Sequence, residues 1–214
     1  MRTSAFSARP TLPRRSVDRP IFWIVAGPNG SGKSSVYQDA DIEAFARSVW
    51  IINPDLLTAR IQDVEGLSLR DANLQAVQRI EAWLETSIHA HQTVGVETVL
   101  STDKYRRLVL EAKALQFEVR LTYVILASPE HCVERVKMRV AKGGHNVARD
   151  RILARYARSL DQLSWFLDHA DQASIFDNSG ASPRLIGQKK KRLITLDPGA
   201  LPQITEAVER IATD

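Results

Sequence analysis

Ile21-Phe22-Trp23-Ile24-Val25-Ala26-Gly27-Pro28-Asn29-Gly30-Ser31-Gly32-Lys33-Ser34 decides how this chain is read. Six consecutive apolar residues predict a buried strand, and the eight that follow fit G-x-x-x-x-G-K-[ST] at the strand-to-helix junction that this pattern requires. The chain has to turn sharply there, and glycines let the backbone wrap until successive N–H groups converge on phosphate oxygens. The helix that follows turns its positive end toward the same anion. The pattern therefore assigns Gly27, Pro28, Asn29, Gly30, Ser31, Gly32, Lys33, Ser34 and Ser35 to a nucleoside triphosphate. Lys33 would reach the β- and γ-phosphates and the Ser34 hydroxyl would ligate Mg²⁺.

At 214 residues with 44% hydrophobic side chains, the chain has the size and apolar content of one α/β domain. No run approaches the roughly 18 apolar residues of a membrane-spanning helix, and the first residues lack a secretory apolar segment. A cytoplasmic protein without membrane attachment is expected. The single cysteine, Cys132, excludes an internal disulfide and reads as an inert thiol on a helix.

The net charge of +4 is local, because residues 1–20 carry five arginines against one aspartate and so hold all of it. Residues 1–19 read as a basic leader expected to be disordered, followed by the folded domain at 20–214. The second basic run, Lys189-Lys190-Lys191-Arg192, lies between short apolar pieces and predicts the solvated turn of a hairpin. Nucleic acid is a poor candidate partner, since the charge is segregated from the glycine loop and no aromatic residues interleave with it.

Beyond the loop, strand and helix signals alternate. Val49-Trp50-Ile51-Ile52 predicts a short strand ended by Asn53-Pro54, which sets Asp55 at a strand end. Apolar residues at three- and four-residue spacing from Leu69 to His89 predict an amphipathic helix. Strands are expected at Thr93–Glu97, Val119–Leu126 and Ala173–Asp177, and helices at Asp103–Leu115, Pro129–Val140, Ala148–Ala170 and Gln203–Ala212. Such alternation implies a mostly parallel sheet flanked by helices, with ligands gathered at the carboxyl ends of the strands. Those ends are the glycine loop, Asp55, Glu97-Thr98, Ala127-Ser128 and Asp177-Asn178-Ser179.

With these ends assembled, the chain resembles the zeta-toxin family of P-loop kinases, which transfer phosphate from ATP to a hydroxyl of UDP-N-acetylglucosamine. The resemblance rests on the glycine loop, Asn53-Pro54-Asp55, Glu97-Thr98-Val99-Leu100-Ser101, Arg139 through Val147 with its Gly143-Gly144-His145, Arg155-Tyr156-Ala157-Arg158-Ser159-Leu160 and Asp177-Asn178-Ser179. It implies a three-layer P-loop NTPase fold with a helical, arginine-rich lid near 135–160, ATP and Mg²⁺ as cofactors, a nucleotide-sugar substrate and an antitoxin protein as candidate partner. Asp55 matches the family's general base, a role that phosphoryl transfer needs because one carboxylate must orient the nucleophile. An aspartate ahead of a helix beginning at Leu56 or Leu57 reads equally as an N-cap.

Glu97 and Glu81 match substrate-binding glutamates, with Thr98 beside the first, although Glu81 reads equally as a solvated residue near Arg79 and Glu85. Arg139 fits the first lid arginine. His145 stands where plasmid-borne toxins have the second, which leaves Arg155 or Arg151 to supply it. Surface ion pairs such as Asp150 with Arg155, or Arg158 with Asp161, are the plainer use of these charges.

The chain departs from the family at Ser101, where some members place an arginine against substrate phosphate. Lys104, Arg106 and Arg107 are the cations at hand to replace it. No aspartate of the usual Walker B kind ends a buried strand, so Mg²⁺ is expected to rest on Ser34, the phosphates and waters, with help from Asp55. A 5′-hydroxyl nucleic-acid kinase and a non-kinase P-loop ATPase are the alternative functions.

Overall fold

The computed structural model describes residues 19–39 and 51–212. All of the basic leader expected at residues 1–19 except Arg19, and the start of the second strand at Val49, lie outside the described residues. The glycine-loop strand is β1, Ile21–Ala26, and it runs into helix α1, Lys33–Asp39. Then come β2 (Ile51–Ile52), α2 (Pro54–Glu65), α3 (Leu69–His89), β3 (Val94–Thr98), α4 (Arg106–Ala114) and β4 (Glu118–Ile125). Next are α5 (Pro129–Ala141), α6 (Arg149–His169), β5 (Gln172–Asp177), a hairpin of β6 (Arg184–Lys190) and β7 (Leu193–Leu196), and α7 (Pro202–Glu209).

The seven strands form one sheet in the order β2-β3-β1-β4-β5-β6-β7, parallel from β2 to β5 and antiparallel through the hairpin. Alternation along β1 explains why it lies near the middle. Phe22, Ile24 and Ala26 enter the main core, while Trp23 and Val25 form a second cluster on the opposite face. The main core also takes Ile80, Leu84 and Ile88 from α3, Leu108 from α4, Val136 from α5, Leu163 and Phe166 from α6, and Ile204 from α7. Each such side chain contributes about 1.5–3 kcal/mol of burial. On the second face the Trp23 indole donates to Thr122 Oγ1 at 3.1 Å, and the Arg120 guanidinium lies 5.5 Å from the Trp23 ring.

The predicted helix and strand bounds match these elements closely, and two local readings change. First, α2 begins at Pro54 and its cap is Asn53, whose side chain accepts from the N–H groups of Asp55 (2.9 Å) and Leu56 (3.3 Å). The cap therefore does not fall to Asp55. Second, the hairpin turn is present, but Lys189 is only 6% exposed and points back to α6, donating to the carbonyls of Leu167 and Asp168 at 2.6 Å each. The alternating faces of β6 explain this, since a residue two positions from a turn points to the sheet's covered side as readily as to water. Cys132 is fully buried in the main core, and burial pushes its thiol up to about 12, in keeping with an inert role.

Candidate functional site

The carboxyl ends of β1, β2, β3 and β5 converge on the glycine loop. Gly27 has φ +143°, and a Cβ there would lie 2.0 Å from the Val124 carbonyl oxygen, so the turn out of β1 admits no larger residue. The Asn178 side chain, at the end of β5, donates to the Ser31 carbonyl at 2.8 Å and braces the loop from the other side. Arg135 of α5 donates in turn to the Asn178 carbonyl at 2.7 Å. Asp177-Asn178-Ser179 thus serves the loop through Asn178, while Asp177 accepts from the hydroxyl of Ser179 at 2.6 Å.

Lys33 is 7% exposed, and its ammonium donates to the carbonyls of Gly27 (2.9 Å) and Pro28 (3.1 Å). Burial lowers its pKa, against the fields of Glu97 and Asp55, which raise it. The Ser34 hydroxyl donates to Glu97 Oε2 at 3.1 Å, and Asn53 Nδ2 donates to the same oxygen at 3.0 Å. Lys33 Nζ lies 3.9 Å from Glu97 Oε1. Glu97 is next to last in β3, the parallel neighbour of β1, with Val25 of β1 in register beside it. A glutamate, not the aspartate of the usual pattern, therefore stands near the end of the strand next to the loop. Glu97 faces the loop's lysine and serine, the residues that the pattern gives to phosphate and Mg²⁺.

One cavity of about 230 Å³ joins this cluster to the other sequence-predicted residues. Asn29, Gly30, Lys33, Asp55, Glu97 and Thr98 line it, as do Ser101, Lys104, Arg139 and Arg155. The Arg155 guanidinium donates to Asn29 Oδ1 at 3.2 Å, which ties α6 to the glycine loop. Arg139 donates through Nε (3.1 Å) and Nη2 (2.7 Å) to the His145 carbonyl. Gly144 is packed on Arg139, where a Cβ would lie 2.6 Å from its Cγ, so the Gly143-Gly144-His145 turn and this arginine fix one another. Arg151 and His145 line a second cavity that shares Asn29, Asp55 and Arg155 with the first.

The lid arginines do not form the expected helix-surface pairs. Asp150 lies 3.9 Å from Arg149, and Asp161 lies 3.5 Å from Arg210 on the closing helical turn. Glu81 does not line the cavity; it is half-buried on α3 and its field reaches Lys104 and Tyr105. Asn53 and Asn178 stand in motifs quoted from the sequence, which gave neither a role of its own. Asn53 was legible in part, as an asparagine before a proline is a common helix start. Asn178 was legible as part of a turn at a strand end, but not as the residue that braces the loop.

No helix among the described residues is long and apolar enough to cross a membrane. Residues 22–163 match the AAA domain family. An uncharacterized protein of Haemophilus influenzae is 31% identical over 147 residues, which cover 65% of this chain and 93% of that one. Among solved structures, a chain from the PezAT chromosomal toxin–antitoxin system of the human pathogen Streptococcus pneumoniae superposes with a TM-score of 0.61 at 16% identity, covering 94% of this chain and 87% of that one. A chain of the AvrRxo1-ORF1:-ORF2 complex with ATP gives a TM-score of 0.67 at 14% identity, covering 91% and 64%. A chain of the Pnkp1/Rnl/Hen1 RNA repair complex gives 0.54 at 15% identity, covering 71% and 48%. At such identities the likeness is one of fold, and it agrees with the three-layer arrangement and mostly parallel sheet read from the sequence.

Proposed function

The chain belongs to the AAA domain family, and on that premise we propose that it is an ATP-dependent kinase acting on an alcohol, with a nucleotide-sugar hydroxyl, that of UDP-N-acetylglucosamine, as the acceptor. One observation carries the reading: the loop lysine and the candidate base, Lys33 and Asp55, line one cavity together with two arginines, Arg139 and Arg155. A carboxylate can orient water as well as an alcohol, so what favours transfer over hydrolysis is a cavity large enough for an acceptor beside Asp55, about 230 Å³.

The loop suits ATP in its own chemistry. Ser31 Oγ is buried with no hydrogen-bond partner, and Gly27, Gly30 and Gly32 all hold positive φ in a turn where a Cβ would collide. The Ser34 hydroxyl and Glu97 carboxylate are hard oxygen donors, the set that suits Mg²⁺ held by one or two protein groups and substrate phosphates. When bound there, Mg²⁺ supplies charge neutralisation at the β- and γ-oxygens.

In the reaction, the acceptor hydroxyl oxygen forms a bond to the γ-phosphorus as the bond from that phosphorus to the β,γ-bridging oxygen breaks, releasing ADP. The hydroxyl proton passes to Asp55. Lys33, Arg139 and Arg155 meet the charge spread over the γ-phosphoryl oxygens, for which forked guanidinium groups are well shaped. The buried position of Glu97 beside Ser34 supports a metal-facing role in addition to the acceptor contact implied by the resemblance.

Incubation with ATP, Mg²⁺ and nucleotide sugars, read by phosphorus NMR, tests this. A new phosphomonoester resonance on the sugar is expected. ATP binding without phosphorylation of any acceptor would overturn the reading, and steady hydrolysis indifferent to acceptors would favour the ATPase alternative. An antitoxin is the protein partner this function suggests, and co-purification with the product of a neighbouring gene is its test.

A further inference from the structure

Among the described residues four cations line the cavity, and three of them are already held by the protein. Lys33 donates to the loop carbonyls, Arg139 to the His145 carbonyl and Arg155 to Asn29. The fourth, Lys104, comes from the turn between β3 and α4 and is half-buried. Among the described residues its ammonium makes no hydrogen bond and no ion pair. Its ammonium lies 4.7 Å from the centroid of the Tyr105 ring. Burial lowers its pKa, and the field of Glu81 works in the opposite direction.

Its neighbours are committed elsewhere. Arg106 donates through Nε (3.2 Å) and Nη2 (2.9 Å) to Gln162 Oε1 and lies 4.8 Å from the Trp165 ring. Arg107 donates to Glu85 and Glu111 at 3.1 Å each. Neither lines the cavity. A partly desolvated cation without an anion is costly, and an anionic ligand is what removes that cost. The same cavity is lined by Asn73, Ser101 and Thr102, which offer an amide and hydroxyls.

We propose that Lys104 binds an anionic group, a phosphate or diphosphate, of the acceptor whose hydroxyl Asp55 orients, and that it makes this site select phosphorylated acceptors over neutral sugars. This deepens the kinase reading and rests on it.

The test compares wild type with Lys104→Ala, Lys104→Arg and the control Arg107→Ala. The probes are UDP-N-acetylglucosamine, N-acetylglucosamine 1-phosphate and N-acetylglucosamine. Calorimetric binding with a nonhydrolysable ATP analogue present is measured alongside transfer. Lys104→Ala should weaken both phosphorylated acceptors about tenfold or more, the scale of one charge-assisted hydrogen bond, with ATP affinity unchanged. Lys104→Arg should restore most of the loss, and Arg107→Ala should behave as wild type. Failure of the phosphorylated acceptors to bind wild type, or equal binding to wild type and Lys104→Ala, overturns the inference. Lys104-dependent binding without any transfer would sustain it while removing the kinase reading.

Discussion

The Ser34 hydroxyl donates to Glu97 Oε2 at 3.1 Å, which links the start of the glycine-loop helix to the end of the adjacent strand, 63 residues away in sequence. With Glu97 only 9% exposed, this carboxylate is held by its neighbours and cannot swing freely between donor and acceptor halves of the cavity. If Mg²⁺ meets Ser34, Glu97 is the protein carboxylate beside it.

Glu97→Gln keeps the size of the side chain and an oxygen acceptor but removes the charge. The Mg²⁺ concentration for half-maximal transfer should rise about tenfold or more, with a melting temperature close to wild type. Titration of activity against Mg²⁺ checks it. An unchanged Mg²⁺ requirement with a raised acceptor KM would return Glu97 to acceptor binding alone.

Because Asn53 caps α2, the role of Asp55 is separable from the fold. Asp55→Asn should lower transfer by roughly 10²–10⁴-fold, leave ATP affinity within about twofold and shift stability by less than about 0.5 kcal/mol. Asn53→Ala should instead destabilise by about 1 kcal/mol or more, since it removes the cap and the bond to Glu97 together. Urea melts and nucleotide titrations of the two variants distinguish them.

Lys189 and Lys191 stand two residues apart in one basic run and should respond differently. Lys189→Met leaves the Leu167 and Asp168 carbonyls at the end of α6 without their donor, at a cost of about 1–3 kcal/mol. Lys191→Ala, at the exposed turn, should change stability by less than about 0.5 kcal/mol. Equal melting temperatures for the two would contradict the buried placement of Lys189.

Cys132 should resist thiol reagents at pH 8 until the chain unfolds, so labelling should follow the unfolding rate. Its thiol is raised from 9.0 to about 12 in the fold, so between those values the folded chain keeps a proton that the unfolded chain has lost. The stability it contributes is present below pH 9 and fades as pH rises toward 12. Wild type should therefore lose more stability than Cys132→Ala between pH 8 and pH 10. Rapid stoichiometric labelling of the native protein would contradict the buried setting.

Much of this protein was legible in its residues. The loop from Gly27 to Ser34 is a local pattern whose backbone demands are met by adjacent residues, and the periodicities of α3 and β4 are likewise short-range. Asp55, in the first turn of α2, and Glu97, next to last in β3, were legible as lying near strand ends because proline, asparagine and the ends of apolar runs mark those boundaries within a few positions. What the residues alone left open were choices among equivalent side chains: Asn53 or Asp55 as cap, Lys104, Arg106 or Arg107 as acceptor cation, Lys189 in water or in the fold.

Those choices depend on which elements become neighbours. The placement of β3 beside β1 brings Glu97 to Ser34, and β5 beside β4 carries Asn178 to the loop. The packing of α4 on α6 and α3 occupies Arg106 and Arg107, leaving Lys104 facing the cavity. The sequence by itself determined the triphosphate loop and the alternating α/β order, because those follow from local backbone geometry and hydrophobic spacing. Only the tertiary structure decided the partner of each charge, because a long side chain takes the nearest compensating group, and nearness across a sheet is fixed by strand order and register.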